Sequence, residues 1–165
     1  MKWNRKFVYP KSIRSTDNGI RRYLIGEKKL PSVTSILDAT KSEEDKAALA
    51  NWVERTGLKE SEAIVKAASN RGSKMHAYLE SFLLGQQNLS FFDDNEQYKI
   101  MAKQIIEKGL INRFEEVWGV ECTLYKPDSY SGTCDAVGIY DGRESIIDFK
   151  QSNKPKKFEY IDQWL

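Results

Sequence analysis

The sequence predicts an α+β fold in which a helical N-terminal part packs on a small, mainly antiparallel β-sheet. Apolar residues recur at helical spacing through the middle of the chain, and β-rich runs follow from about Gly119. The 165 residues suffice for one domain with a substantial core. Within it we expect a basic, extended arm over residues 1–40, helices over 41–118, and a sheet with the start of a C-terminal helix over 119–165.

Turn and capping residues divide the N-terminal half into a hairpin and three helices. Asp17-Asn18-Gly19 predicts a hairpin turn. Ser42 is a typical N-terminal cap, and Gly57 a typical C-terminal end, for the first helix. We expect further helices over about 60–69 and 73–84, separated by a break at 70–72 and closed by Gly85.

A fourth helix is expected to start from a cap at Asp93 or Asp94. Its apolar positions recur at helical spacing and are interpreted as core: Tyr98, Met101, Ile105, Ile106, Leu110 and Phe114. Trp52 on the first helix is also interpreted as core. Gly72 is expected to allow a tight approach or turn before the helix that carries His76.

Three β-runs follow over residues 120–125, 132–140 and 144–149, and a helix is expected from about Phe158. Asp141-Gly142 joins the last two runs and favours a two-residue type I′ hairpin. Tyr140 then pairs with Arg143, and the same register makes Asp135 and Asp148 direct partners.

Lys150 lies two residues beyond Asp148, so it points to the same face of the strand. Two directly opposed carboxylates repel each other, and a bound Mg²⁺ or Mn²⁺ would remove that conflict. An exposed hairpin face with solvated charges explains the same residues without a metal. A four-residue loop would instead set Lys150 opposite Asp135, and these alternatives stay open at the level of spacing.

Charge is unevenly distributed along the chain. Residues 1–40 hold nine Lys and Arg against three Asp and Glu, although the whole chain has a net charge of only +2. Such an arm could bind a polyanion, or it could be a solubilising terminus whose aromatic residues pack on the core. The aromatic residues concerned are Trp3, Phe7, Tyr9 and Tyr23.

The remaining composition excludes several classes of protein. No apolar run is long enough to span a bilayer, and the basic N-terminus is not followed by the apolar stretch of a secretory signal. Cys122 and Cys134 lack metal-ligand spacing and are expected to be small buried residues of a reducing cytoplasm. The GxxxxGK[ST] loop of the P-loop NTPases is absent from the sequence.

Four segments, taken together, resemble the RecB-like branch of the PD-(D/E)xK nuclease superfamily. Gly132-Thr-Cys-Asp135 followed by Asp148-Phe-Lys150-Gln-Ser152 resembles its G-x-x-D…D-x-K-x-S signature. Residues 71–80 resemble its R-G-x-x-x-H-x-x-x-E helix, and residues 160–163 resemble the start of its glutamine-bearing helix. Residues 30–37 and 49–52 are similar to phage and bacterial relatives of the mitochondrial genome maintenance exonuclease.

The resemblance implies a restriction-endonuclease-like core and a set of site residues. Asp135, Asp148 and Lys150 would form the catalytic centre, together with Glu121 and Gln163. His76, Asp135, Asp148, the Phe149 carbonyl and Glu80 would hold Mg²⁺ or Mn²⁺. Phosphates would be met by Arg71, at the bend before its helix, and by Ser152, Lys154, Lys156 and Lys157.

Several of these residues also have an explanation that involves no catalysis or metal binding. His76 could be structural, Glu80 a solvated helix carboxylate, Glu121 an edge charge that protects the sheet, and Gln163 a surface amide. This chain departs from the family pattern at two positions. Gln151 stands where the family commonly has threonine, and Cys134 stands where the superfamily name has proline. The chain stops two residues after Gln163, so we expect its last helix to be short or truncated.

The function implied by the resemblance is a metal-dependent exonuclease acting on single-stranded DNA ends in the cytoplasm, in a host cell if the chain is phage-encoded. One alternative is a catalytically idle nuclease fold that only binds DNA, and another is a scaffold protein. Exo or endo action, strand polarity, DNA or RNA preference, the number of metals and the oligomeric state do not follow from the residues.

Overall fold

Two β-sheets and a group of helices make up the part of the protein that the computed structural model describes, residues 1–86 and 96–152. The strands are β1 Lys2–Trp3, β2 Ile13–Asp17, β3 Ile20–Ile25, β4 Lys28–Pro31, β5 Phe114–Lys126, β6 Tyr130–Tyr140 and β7 Arg143–Ile147. The helices are α1 Val33–Ala39, α2 Glu43–Thr56, α3 Leu58–Leu83 and α4 Gln97–Ile105, which continues as a π-helical turn over Ile106–Leu110. This content confirms the α+β class.

The larger sheet has the strand order β1-β5-β6-β7. Its β5–β6 and β6–β7 pairs are antiparallel, as predicted, and β1 adds a short parallel pair with β5. Strand β5 begins at Phe114, six residues earlier than the predicted run. The prediction of a mainly antiparallel sheet is therefore confirmed, with a longer first strand.

Both predicted hairpin turns are present and have the backbone of type I′ turns. Asn18 and Gly19 have φ angles of 51° and 79°, and Asp141 and Gly142 have 48° and 73°. The second turn pairs Tyr140 with Arg143, and the register continues as predicted to Ala136 and Ile147. A four-residue loop is thereby excluded.

Residues 1–40 are extended only in part. After β1 an irregular segment runs to residue 12, and the hairpin β2–β3 then joins β4 in a three-stranded antiparallel sheet. Helix α1 follows, capped by Ser32, whose hydroxyl accepts a hydrogen bond from the Ser35 amide at 3.0 Å. Strands β3 and β4 contact β6, so this basic segment folds against the larger sheet.

Helix α2 has the predicted ends, since the Ser42 hydroxyl accepts from the Asp45 amide at 3.1 Å and Gly57 ends the helix with a φ of 86°. The interpretation of Trp52 as core is wrong, however. Trp52 is half-buried and no residue of α2 is buried. The helix is therefore peripheral, and its main contact within the described residues is with α3.

The predicted break at 70–72 is also wrong, because α3 runs without interruption from Leu58 to Leu83. A glycine within a helix costs only about 1 kcal/mol relative to alanine, which a tertiary contact can offset. The Gln151 side chain supplies that contact: its amide donates to the Ala68 carbonyl at 2.5 Å, and its oxygen accepts from Arg71 at 2.9 Å. A Cβ on Gly72 would lie 2.7 Å from the same amide, which agrees with the predicted tight approach.

The fourth helix is shorter than its periodicity predicts. The expected caps Asp93 and Asp94 lie outside the described residues. Phe114 is the first residue of β5 rather than the last of a helix. The interpretation of the stripe as core is nevertheless confirmed, because Ile106, Leu110 and Phe114 are buried and the other three residues pack against them.

The core lies on both faces of the larger sheet. Residues of α3, α4 and β5 form the main cluster, which includes Met75, Leu79, Ala102, Phe114 and Val117. A second cluster on the strands consists of Trp118, Cys122, Cys134 and Val137, with Tyr9 packed against it. Both cysteines are buried and free, as expected, and burial raises the pKa of the Cys134 thiol to about 12.

Gly138 makes the tightest backbone contact in the sheet, and we predict that Gly138→Ala is strongly destabilising. A Cβ there would lie 1.9 Å from the Glu116 carbonyl oxygen and 2.5 Å from the Phe114 ring. We expect the free energy of unfolding to fall by about 3 kcal/mol in urea denaturation. Gly109→Ala is the matched control, because its Cβ would meet only Ile105 at 4.0 Å. Equal stability of the two variants would contradict this packing.

None of the described helices has the length and apolarity needed to cross a membrane.

Candidate metal centre

Five of the predicted site residues line one cavity of about 1450 Å³. They come from separate parts of the chain: His76 from α3, Glu121 from β5, Asp135 from β6, and Asp148 and Lys150 from the segment after β7. The cavity is also bounded by the β2–β3 hairpin and by α1. The fold therefore brings these residues together although up to 74 positions separate them in sequence.

Both carboxylate oxygens of Asp135 form contacts within the protein. The residue is only 9% exposed. One oxygen lies 2.9 Å from His76 Nδ1, and the other accepts a hydrogen bond from the Phe149 amide. Each oxygen keeps a second lone pair, so the carboxylate can still bind a cation.

His76 is half-buried on the face of α3 that meets the sheet, and its ring packs edge-on against Phe149 at 6.4 Å. The hydrogen bond to Asp135 raises the pKa of His76 above its ordinary value, while burial acts in the opposite direction. The same hydrogen bond orients the ring toward the carboxylate of Asp135.

Glu121 reaches the group through an unusual backbone conformation. Its neighbours pair as Val120 with Ala136 and Cys122 with Cys134, which sets Glu121 opposite Asp135. Its φ of 50° is in the left-handed region, which costs a non-glycine residue about 1–3 kcal/mol. Burial of the carboxyl group, followed by the nearby Asp135 and Glu80, raises the pKa of Glu121.

His76, Glu121 and Asp135 together can hold a metal ion. Each offers one ligand atom, and these atoms lie within 4.8 Å of one another. Two carboxylates and an imidazole suit Mn²⁺, and their oxygens suit Mg²⁺. The crowding of negative charge that raises the Glu121 pKa is what a bound cation would relieve. The donor set therefore fits a divalent cation.

Asp148 differs from the predicted geometry. The register of β6 against β7 is as predicted, but β7 ends at Ile147, whose partner is Ala136, so regular pairing stops one residue before the predicted pair of Asp135 and Asp148. The ladder stops there because the Phe149 amide bonds to the Asp135 side chain instead of continuing the backbone pairing. Asp148 is exposed, forms an ion pair with Lys150, and is not among the three clustered donors.

Lys150 and Glu80 lie around this group. Lys150 faces the cavity, and its charge acts on His76 in the direction opposite to that of Asp148. Glu80 is half-buried one turn beyond His76 and interacts electrostatically with Glu121. Phe149 is buried in the main core cluster. Their roles as catalytic residue, ligands or water-holding group remain predictions.

Of the predicted phosphate-binding residues, only Arg71 and Ser152 lie in the described part of the chain. Arg71 lies inside the continuous helix α3, so the expected bend with free backbone amides is wrong, and its guanidinium donates to Gln151. Ser152 is exposed at the end of the described residues. Lys154, Lys156, Lys157 and Gln163 lie outside the described part of the chain, as does the helix expected from Phe158.

The sequence interpretation missed the basic residues of the cavity wall. Lys11, Arg14, Arg21 and Lys126 all line the cavity, and the charge of Arg14 acts on the Glu121 carboxyl. The excess of basic residues over 1–40 was the available sign. Spacing around the hairpin turn could have sharpened it, because Arg14 and Arg21 fall on the same face once Asp17 pairs with Ile20.

The state of His76 gives a direct test of this geometry. As the single histidine, it is identified without ambiguity in an NMR titration of metal-free protein. We predict a pKa above the ordinary 6.5 and a lower value in Asp135→Asn, because the bond to Asp135 is the largest cause of the shift. The protonated pair stabilises the fold fully below the unfolded pKa, and this contribution is lost as the pH rises through the folded pKa. A wild-type pKa at or below 6.5 would contradict the hydrogen bond.

The amino-acid sequence of the chain is similar to those of two curated proteins. The chain is 29% identical to human mitochondrial genome maintenance exonuclease 1 over 137 residues, which is 78% of this chain. It is 31% identical to the mouse protein of the same name over 132 residues, or 77% of this chain. The similarity suggests a nuclease family. The match spans 38% of the length of either relative, and no protein-family model matches the chain.

Proposed function

We propose that this chain is a metal-dependent nuclease domain that hydrolyses phosphodiester bonds of DNA, acting as an exonuclease on single-stranded ends. The observation that carries the proposal is the convergence of His76, Glu121 and Asp135 within 4.8 Å, in a cavity that Lys150 also lines. Similarity to two proteins named as exonucleases supports the reaction class. The motifs of residues 71–80 and 132–152 support assignment to the RecB-like PD-(D/E)xK nucleases.

The proposed ligands are His76, Glu121 and Asp135, and Asp148 with the Phe149 carbonyl would complete the site. A bound Mg²⁺ or Mn²⁺ would lower the pKa of a coordinated water and neutralise charge on the phosphate. His76 and Asp135 would share the ion, which would replace the hydrogen bond that now joins His76 Nδ1 to the Asp135 carboxylate.

Lys150 would act on the attacking water or on the phosphate. Lys150 forms an ion pair with Asp148, and its ammonium group can donate hydrogen bonds to a nucleophile or to a phosphate oxygen. Glu80 would hold a water beside Glu121. Gln163 and the lysines after Ser152 would contact the substrate, and a phage origin with action in a host cytoplasm belongs to the same proposal.

An idle nuclease fold that only binds DNA is the second candidate. The basic cavity wall favours it as much as it favours an enzyme, because cations bind phosphates in either case. The two candidates differ in the group formed by His76, Glu121 and Asp135, since a binding module gains nothing from two carboxylates beside the phosphates of its ligand.

The test is degradation of single-stranded DNA labelled at one end, with Mn²⁺, with Mg²⁺ and with EDTA. Release of labelled mononucleotides or short products only when a metal is present would support an exonuclease, and a ladder of internal cuts would indicate endonuclease action. Binding without cleavage in either metal would favour the second candidate. If the protein neither bound nor cleaved the DNA, both candidate functions would be contradicted.

A further inference from the structure

We propose that Lys11, Arg14, Arg21 and Lys126 form a phosphate-binding wall that guides a single-stranded nucleic acid toward the carboxylate cluster. All four side chains line the cavity that holds the cluster. The inference rests on the proposed nuclease function, and it names the residues that would position the substrate rather than react with it. We call these four residues the cationic wall.

Two members of the cationic wall, Arg14 and Arg21, lie on one face of the β2–β3 hairpin. Arg14 pairs with Tyr23 and Thr16 pairs with Arg21, so the side chains of Arg14 and Arg21 leave the β2–β3 hairpin on the same side. Tyr23 on that face is buried against the larger sheet, where its hydroxyl meets Thr133 at 3.4 Å. The packing of Tyr23 therefore aims both arginines into the cavity.

The four residues of the cationic wall differ from neighbouring lysines in their ion pairing. Among residues 1–86 and 96–152, no carboxylate forms a salt bridge with any member of the cationic wall, and all four residues are exposed. On the same small sheet, by contrast, Lys28 pairs with Asp128 and Lys29 with Asp17. Unpaired cations gathered in one cavity favour a polyanionic ligand.

The arrangement of charge gives that ligand a direction. The carboxylates of Glu121 and Asp135 lie beside His76 of α3, and Arg14 lines the same cavity. A phosphate held by Arg14 would thus neighbour the phosphate at the cluster, and Arg21, Lys11 and Lys126 would meet further phosphates. The cavity volume of about 1450 Å³ exceeds the 300–1,000 Å³ typical of small-molecule sites, which favours several nucleotides.

Aromatic side chains in the same cavity favour a single strand over a duplex. Tyr125 and Tyr130 are 47% and 41% exposed at the β5–β6 turn, beside Lys126. Exposed rings next to cations are typical of single-strand sites, because unpaired bases can stack on them. Of the aromatic residues of the basic arm, Tyr23 and Tyr9 pack on the core. Trp3 and Phe7 are 40% and 48% exposed but do not line this cavity.

The experiment measures binding of a fluorescent oligothymidylate in EDTA, from 50 to 300 mM salt, for wild type, Arg14→Ala/Arg21→Ala and Arg22→Ala/Lys29→Ala. The control variant removes the same charge from the opposite face of the hairpin, where Arg22 pairs with Ser15 and Lys29 with Leu24. Loss of two phosphate contacts should reduce the slope of log K against log salt by about 1.4 and weaken binding about tenfold at 0.15 M salt. The control should change the slope by less than about 0.5.

Cleavage assays on the same variants separate this proposal from the proposed function. With Mn²⁺, Arg14→Ala/Arg21→Ala should raise KM about tenfold and change kcat less than about twofold, since the lost contacts lie away from the reacting group. If the wild type is active and the two double variants have equal salt slopes and equal KM values, the cationic wall is overturned but the proposed nuclease function is not. A wild type that neither binds nor cuts would overturn the wall together with the nuclease. Tighter binding of a duplex than of the single strand would overturn the single-strand assignment.

Discussion

Asp135→Asn is expected to reduce metal-dependent DNA cleavage by about 10³-fold, which corresponds to about 4 kcal/mol of transition-state stabilisation. Asp135 is the residue on which the cluster converges, because it bonds to His76 and to the Phe149 amide and lies among the three metal donors. Asparagine keeps the shape of the side chain but removes the charge that would bind a cation. We therefore expect the loss to come from weakened metal binding.

The measurement is single-turnover cleavage across a range of Mn²⁺ concentrations, together with the Mn²⁺ affinity of each protein. Asp128→Asn is the matched control, since Asp128 is exposed at the β5–β6 turn and pairs with Lys28. Asparagine also tolerates its φ of 58°. Full activity in Asp135→Asn, with unchanged Mn²⁺ affinity, would remove Asp135 from the centre.

The second large effect concerns Lys150. We expect Lys150→Ala to lower the single-turnover rate by about 10²–10³-fold while Mn²⁺ binding stays within about twofold of wild type. The reason is that Lys150 lines the cavity and carries a charge beside Asp148, but is not one of the clustered donors. Its ammonium group would stabilise the nucleophile or the phosphate, not the metal.

The control for Lys150→Ala is Lys108→Ala, which removes an exposed lysine from the π-helical turn. Its rate should match that of the wild type. If Lys150→Ala also weakened Mn²⁺ binding at least tenfold, its role would be to arrange Asp148 and the segment around it. If both variants were fully active, Lys150 would have no part in the reaction.

Local sequence signals predicted much of the fold because turns and caps depend on a few adjacent residues. Asp141-Gly142 fixed the register of β6 against β7, and Ser42 and Gly57 marked the ends of α2. The break at 70–72 failed for the opposite reason. A weak local preference was overridden by Gln151, which lies some 80 residues away in sequence.

The acidic cluster was predicted in its members but not in its geometry. Spacing paired Asp148 with Asp135 across β6 and β7, whereas that ladder ends at Ile147 and the acid that clusters with Asp135 is Glu121 of β5. The difference arises where regular alternation fails. Cys134 and Val137 both pack in the second core cluster although they are three residues apart, and Glu121 has a left-handed backbone. Such irregularities re-aim side chains at functional sites and leave no periodic trace in a sequence.

Residues 1–40 illustrate a second limit. Composition showed an excess of cations but could not decide between nucleic-acid binding and a packed arm. In the structure the two roles are divided between residue types: Tyr9 and Tyr23 pack, while Arg14 and Arg21 face the cavity. That division depends on the pairing of β2 with β3 and on the contact between Tyr23 and Thr133, which are properties of the folded chain.

The most direct test of the metal centre compares two titrations of wild-type protein with Mn²⁺, one of metal binding and one of cleavage of end-labelled single-stranded DNA. We expect both titrations to be saturable with matching midpoints, and Asp135→Asn to weaken metal binding and cleavage together. Cleavage that persists in EDTA, or Mn²⁺ binding that is unchanged by Asp135→Asn, would contradict a metal centre built on His76, Glu121 and Asp135.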